Sequence, residues 1–346
     1  MAKDKILLVI PFRATFIKGD INILSKKYKL VINEYNWKNK YLTPIYILLQ
    51  FFAVLRYIFS VKSIVVEFGG YWSLVPSILG KIFNVPVLII LHGTDCALMP
   101  HIGYGSLRKP LLKTACKLSY RFAKVLLPVS QSLLYIKNDY DSEYIEQGIN
   151  FHFPKIKTAT KVVSNGLVTD FWDFSPDDTK EPGSFITVLV RGQFMRKGGD
   201  LILKLAKLYP SCNFYIAGLD KITEVDNIPD NVHLLGRLSP EDLREEYRKA
   251  QYYLQLSMFE GFGLSLCEAM LCGCIPIGSS VNVIPDIIGD TGFILKKKDI
   301  GMLEPLIDKA LAVENKKELE RKARNRILTK YSIEKRAEGL FETIGY

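Results

Sequence analysis

Short runs of β-branched and aliphatic residues alternate along the chain with longer stretches in which apolar positions recur every three or four residues. That alternation is the pattern of a parallel sheet covered by helices, because parallel neighbours can be joined only by a connection long enough to return to the same sheet edge. In the first half the predicted strands are 6–10, 28–33, 63–67, 85–91, 125–129 and 161–164. The second half repeats the plan with 185–190, 213–217, 232–235, 252–256, 275–278 and 293–295. Between the halves, the stretch 169–184 is acidic and broken by two prolines, which predicts an interdomain connection. The fold class is therefore α/β, with two cores.

The stretch YLTPIYILLQFFAVLRYIFS at 41–60 is nearly long enough to span a bilayer. Its place between two predicted strands decides against spanning, since a membrane-crossing helix would deliver the next strand to the wrong side. We expect a crossover helix with some aromatic residues exposed to lipid headgroups. The stretch 108–127 is similar in character. Its cations Arg108, Lys109, Lys113, Lys117, Arg121 and Lys124 fall at near-helical spacing, giving a cationic face that suits solvent or a membrane surface.

Of the 346 residues, 48% are hydrophobic and 24% charged, the balance of a globular protein rather than a disordered one. The net charge of +10 is unevenly placed: 22 Lys and Arg against 10 Asp and Glu make residues 1–170 formally +12, whereas 24 against 26 leave 171–346 at −2. A basic half suits an anionic membrane, a phosphorylated ligand or nucleic acid. Nucleic acid is disfavoured, because neither zinc-finger spacing nor an aromatic ribonucleoprotein-type strand is present. Six cysteines lie in apolar runs, and no secretory signal precedes 6–10, which predicts free thiols in a reducing, cytoplasmic compartment. Cys267, Cys272 and Cys274 have no His nearby and no zinc spacing, so no metal site is expected.

Candidate chemistry concentrates in SMFEGFGLSLCEAMLCGCIPIG, 257–278. A strand is predicted before it and a helix from Leu264, so Glu260 sits on a loop at a strand's carboxyl end and Glu268 about one turn into the helix. Ligands bind at that edge of open α/β sheets. Gly261 and Gly263 let the backbone approach a ligand, and free N–H groups at a helix start favour an anion such as phosphate. Carboxylates accept hydrogen bonds in pairs, so Glu260 and Glu268 suit the hydroxyls of a sugar or ribose. Charges that serve only helix stability are the plainer alternative.

With its two Glu separated by seven residues, the same stretch resembles the donor-site signature of glycosyltransferase family 4. NVHLLGRLSPEDLREEYRKAQYYLQLS (231–257), RGQFMRKGGDLILKLAKLYP (191–210), VVSNGLVTDFW (162–172) and VPVLIILHGTD (85–95) resemble further segments of that family, in order. The resemblance is dense over 160–295 and thinner before it. It implies the GT-B fold, two facing Rossmann-like domains with a cleft between them: an acceptor-binding domain over 1–170, a nucleotide-sugar-binding domain over 171–330, and a helix over 331–346 packing back towards the first. It further implies a retaining, metal-independent hexosyltransferase without a cofactor. The co-substrate would be a nucleotide-diphosphate sugar and the acceptor a saccharide or lipid-linked molecule, in surface polysaccharide or glycolipid synthesis at the inner face of a membrane.

Without a metal, the diphosphate leaving group must be met by protein cations and N–H groups, and the resemblance puts Lys197 there, beside two glycines. Arg191 and Arg196 are alternatives for a second cation, because the family's Gly-Arg order is reversed at Arg191-Gly192. Glu268 would hold the ribose hydroxyls and Glu260 the donor hexose. With Lys197 and His92, which follows a strand and precedes Gly93, Glu260 makes the expected catalytic set. Phe262, Gly263 and Leu264 would contribute backbone contacts to sugar or phosphate, and Gly236 and Arg237 would approach the nucleobase. The first loop, PFRATFIKGD (11–20), lacks the family's paired glycines. Arg13, Tyr71 and Trp72 are the candidate acceptor contacts, the two rings by stacking on a sugar. Two other readings stay open: a nucleotide-sugar epimerase of similar two-domain shape, and a non-enzymatic basic protein that binds lipid or nucleic acid. NAD-dependent dehydrogenation is disfavoured, since no G-x-G-x-x-G follows the first strand.

Overall fold

The computed structural model describes residues 3–141, 143, 145–175, 178–225 and 227–345. Two compact units make up the chain: unit 1 is Met1–Lys137, Glu146–Asn165 and Glu334–Tyr346, and unit 2 is Asn138–Ile145 and Gly166–Ile333.

Unit 1 runs β1 (Lys5–Ile10), α1 (Thr15–Lys27), β2 (Lys29–Glu34), α2 (Thr43–Tyr57), β3 (Ser63–Glu67), α3 (Tyr71–Ile82), β4 (Val87–Leu91), α4 (Pro110–Phe122), β5 (Val125–Pro128), the short pair β6 (Ile136–Lys137) and β7 (Glu146–Gln147), α5 (Ile149–His152) and β8 (Ala159–Thr160). Its parallel sheet has the order β2-β1-β3-β4-β5-β8. β4 is buried at every position, as expected of a strand with both faces covered, and so reads as an unbroken apolar run. Because β2 and β3 both pair in parallel with β1, α2 is a crossover helix within one sheet. The strand expected at 161–164 is displaced to β8. Lys161 and Val163 still donate to the Leu126 and Pro128 carbonyls at 3.0 Å, but Pro128 has no N–H to return a bond, and the ladder stops.

Unit 2 runs β9 (Glu181–Val188), α6 (Gly199–Leu208), β10 (Asn213–Ala217), β11 (Val232–Gly236), α7 (Pro240–Lys249), β12 (Ala250–Gln255), α8 (Leu264–Leu271), β13 (Ile275–Ser279), α9 (Ile284–Ile288), β14 (Phe293–Leu295), α10 (Ile300–Leu311) and α11 (Lys316–Lys330). α12 (Ile333–Ile344) follows and is counted with unit 1 from Glu334 onward. The parallel order is β11-β10-β9-β12-β13-β14. Each sheet reverses its winding once, at β1/β3 in unit 1 and at β9/β12 in unit 2, and loops leaving the carboxyl ends there diverge to open a crevice. All six cysteines are free and buried.

The single boundary expected near 170 is corrected in two places. Asn138–Ile145 belongs to unit 2, where the Tyr140 hydroxyl reaches the Leu256 carbonyl at 3.5 Å and the Lys298 N–H donates to the Tyr140 carbonyl at 2.9 Å. The acidic stretch 169–184 is not a connection between units. Trp172 is buried against Tyr247, and Arg248 holds Asp178 with two bonds of 2.8 Å, so cations on α7 bind the segment into unit 2. Pro176 and Asp177 within it lie outside the described residues.

Candidate active site

Two loops meet at the switch point of unit 2. The first follows β9 and turns at Gly198, whose φ is +76°; a Cβ there would lie 2.3 Å from the Leu256 carbonyl oxygen, so only glycine lets this turn rest on the end of β12. The Met258 N–H donates to the Arg196 carbonyl at 2.7 Å and ties the two loops together. Lys197 is thereby carried to 3.8 Å, Nζ to Oε2, from Glu260 on the second loop.

Glu260 is anchored through one oxygen. Oε2 accepts from Gln255 Nε2 at 3.1 Å and Ser257 Oγ at 3.3 Å and lies 3.8 Å from Arg196 Nη1, while the Glu260 N–H donates to Asn282 Oδ1 at 3.2 Å. Oε1 has no partner among the described residues and the side chain is 15% exposed, leaving that oxygen for a ligand. Arg196, the buried cation, donates to the Phe259 carbonyl at 2.6 Å and to Gln193 Oε1; it fastens the loop. Arg191 is exposed. It lines, with Arg237, Val190, Gly218, Asp220 and Thr223, a cavity of about 240 Å³ beyond β9, β10 and β11. Gly236, with φ +64°, makes the turn at the end of β11, beside a register shift in the β10–β11 ladder.

Gly263, at φ +102°, caps α8, whose first-turn N–H groups have no acceptor inside the helix. Leu264 opens the helix. The Phe262 ring is buried edge-on to Tyr331 at 5.3 Å, so only its backbone is available to a ligand. One turn on, burial pushes the Glu268 carboxyl up to about 7, with Lys197 pulling it the other way. Burial likewise lowers the Lys197 ammonium, against the attraction of Glu260. Among the described residues, no group of three or more His, Cys, Asp or Glu could hold a metal.

In unit 1, His92 follows β4 as expected, but its ring is enclosed. Phe68 and Phe16 lie 4.3 and 4.7 Å away, and Nε2 is 2.7 Å from Glu67 Oε2, with only 4% of the side chain exposed. Burial lowers its pKa to about 4, so the imidazole is neutral, while burial raises Glu67 to about 7. Asp95 orders the surrounding loops by accepting from the N–H groups of Gly69, His92 and Gly93 at 2.9, 3.1 and 3.0 Å. The acceptor candidates fare differently. Trp72 Nε1 is satisfied by the Glu67 and Phe68 carbonyls at 2.8 and 3.0 Å, and its ring packs 6.1 Å from Trp37, so its side chain serves an aromatic cluster of unit 1 rather than an open stacking platform. Tyr71, half-buried, begins α3. Arg13 pairs with Glu34 at 2.9 Å on the surface.

Sequence reasoning missed the groups that hold Glu260, namely Gln255, Ser257 and Asn282. A signal existed for two of them: Gln255 and Ser257 are alternate polar positions at and just beyond the end of β12, after the apolar run Tyr252–Leu254. Glu67 was missed because its partner, His92, comes from another strand's end, and Asp95 because it joins its own loop, through His92 and Gly93, to Gly69 on a different one.

Residues 171–327, somewhat under half of the chain, match the family described as glycosyl transferases group 1, and the chain has the GT-B fold. Among curated proteins it is similar to one component of human phosphatidylinositol N-acetylglucosaminyltransferase, 31% identical over 161 residues, covering 43% of this chain and 33% of that protein. It is also similar to the O-antigen chain mannosyltransferase B of Escherichia coli, 32% identical over 88 residues, covering 25% and 23% of the two chains. The matches thus span about a third or less of those relatives' lengths. Two solved structures superpose over nearly the full chain: HepE of Anabaena in complex with UDP, at TM-score 0.74, 15% identity and 99% coverage of both chains, and sucrose-phosphate synthase of Thermosynechococcus elongatus, at TM-score 0.73, 14% identity and coverage of 99% and 98%.

Proposed function

We propose that the protein is a retaining, metal-independent family 4 hexosyltransferase that moves a sugar from a nucleotide diphosphate to a saccharide or lipid-linked acceptor. The observation that carries this reading is the Glu260–Lys197 pair at the switch point of unit 2, with one carboxylate oxygen fixed and the other unpartnered. Lys197 and the first-turn N–H groups of α8 meet the charge that develops on the departing diphosphate, a preorganised arrangement that needs no metal. Glu260 Oε1 accepts from hexose hydroxyls near the anomeric carbon. Glu268 holds the ribose, and the cavity of Arg191 and Arg237 receives the base. Neutral His92 is held by Glu67, and its unpaired Nδ1 is buried with the rest of the ring, so it shapes the loop after β4 rather than offering an open contact.

Human and yeast relatives are named for transfer to phosphatidylinositol, which favours a lipid-linked acceptor, with a site of action at the cytoplasmic face of a membrane and the protein held peripherally. The test is a panel of nucleotide sugars followed by thermal shift, released nucleotide diphosphate, and the anomeric configuration of the product by NMR. One donor that binds and is turned over with retention supports the reading. Donor turnover without an acceptor would favour the epimerase, and binding of none would remove the proposal.

A further inference from the structure

A second cavity lies at the opposite edge of unit 1, where β4, β5 and β8 begin. Its volume is about 790 Å³, and its lining carries Lys81, Arg121, Lys124, Lys155 and Lys157 with no carboxylate. None of the five has an ion-pair partner among the described residues. Helices that return along a parallel sheet end at this edge, and their carboxyl termini favour a nearby cation. That accounts for Lys81 at the end of α3 and for Arg121 and Lys124 around the end of α4, but not for Lys155 and Lys157, which belong to no helix. The length of a five-residue strand, roughly 17 Å, separates the cavity from the carboxyl edge, so its occupant is not the sugar donor.

Apolar surface borders these cations. Phe59 and Ile82 are 77% and 66% exposed, and the Phe59 ring lies 5.1 Å from Phe83, the neighbour of Asn84 on the cavity wall. From Phe59 a stripe continues along α2 through Phe52, Leu48 and Ile45, which share one helix face at their spacing and are all more than half exposed. The segment Thr43–Ser60 has a mean hydropathy of 1.4 and only 17% of it is buried. Unit 1 as a whole has 24 Lys and Arg against nine Asp and Glu, a formal +15.

We propose that this surface docks on an anionic phospholipid bilayer, with α2 lying in the interface plane, its apolar stripe among the acyl-chain ends, and headgroup phosphates in the cationic cavity. A soluble anion would use the cavity but leave the adjoining stripe without a role. The proposal deepens the lipid-acceptor reading by naming the face that meets the membrane, and its test requires no turnover.

The experiment is co-sedimentation with vesicles of phosphatidylcholine, alone or with about one-third phosphatidylserine, over a salt series. Wild type should partition onto the anionic vesicles and release in high salt. The variant K81Q/K124Q/K155Q/K157Q should lose about two orders of magnitude in partitioning at low salt, and F52S/F59S about tenfold, both with wild-type circular dichroism. Equal partitioning of the neutralised variant, or equal binding of wild type to neutral vesicles, would overturn the proposal. So would stabilisation by millimolar inorganic phosphate without vesicle binding, since that marks a soluble-anion site. Vesicle binding that survives while no nucleotide sugar is turned over would strike the transferase reading and leave the docking surface standing.

Discussion

Arg336→Met should unfold unit 1 well before unit 2. The Arg336 guanidinium on α12 is 3% exposed and donates to both oxygens of Asp20, which is fully buried, and to the carbonyls of Val163 and Ser164 at 3.1 Å each. The substitution therefore strands one buried carboxylate and removes a donor from two carbonyls. Breaking a buried pair from one side costs about 3–5 kcal/mol, mostly the uncompensated charge left behind. Asp20 can limit that cost by taking a proton, since burial already raises it to about 6. The deficit should therefore narrow as pH falls from 7.5 to 5. Trp37 and Trp72 lie in unit 1 and Trp172 in unit 2, so urea unfolding followed by fluorescence in a Trp172→Phe background reads unit 1 alone. The double variant D20L/R336M, which removes both charges, should regain most of the loss. An unchanged midpoint for the single variant, or a double variant no better than the single, would refute the reasoning.

Glu67→Gln tests the linkage of the His92 pair to pH. Burial raises Glu67 from 4.5 to about 7, so its native form binds more protons than its unfolded form, and the stability this confers at low pH is lost as pH rises through 4.5 to 7. The variant should flatten that fall in a denaturation series; an unaltered slope would show that Glu67 is not the titrating group. Gly198→Ala, forced into φ +76° and against the Leu256 carbonyl, should cost about 1–3 kcal/mol in unit 2 and show as a lower urea midpoint read by Trp172. Glu268→Gln should raise the Kd for the nucleotide sugar, whereas Glu260→Gln should act mainly on kcat, because ribose contacts are common to ground and transition states and hexose contacts need not be. Lys197→Ala should lower turnover about a hundredfold through loss of leaving-group stabilisation, with EDTA leaving wild-type turnover unchanged.

The alternation of apolar runs and amphipathic stretches determined most strands of both sheets, because a strand buried on both faces must be apolar throughout and a parallel neighbour must lie a helix away. The glycines of the 257–278 stretch and its two carboxylates marked the loop that meets Lys197 at the switch point of unit 2, since tight turns and close backbone approach restrict residue type at short spacing. Tertiary structure alone decided which charges are paired. Asp20 and Arg336 stand 316 positions apart in the sequence, and no local pattern records that they share a water-excluding core. The same holds for Trp72, which looks free beside a loop until Trp37 is folded against it, and for the acidic stretch 169–184, whose composition reads as a linker until Arg248 supplies the opposite charge. Periodicity and turn chemistry are carried by neighbours along the chain and survive in the sequence. Desolvation and ion pairing depend on what arrives from elsewhere, and only the packed fold sets them.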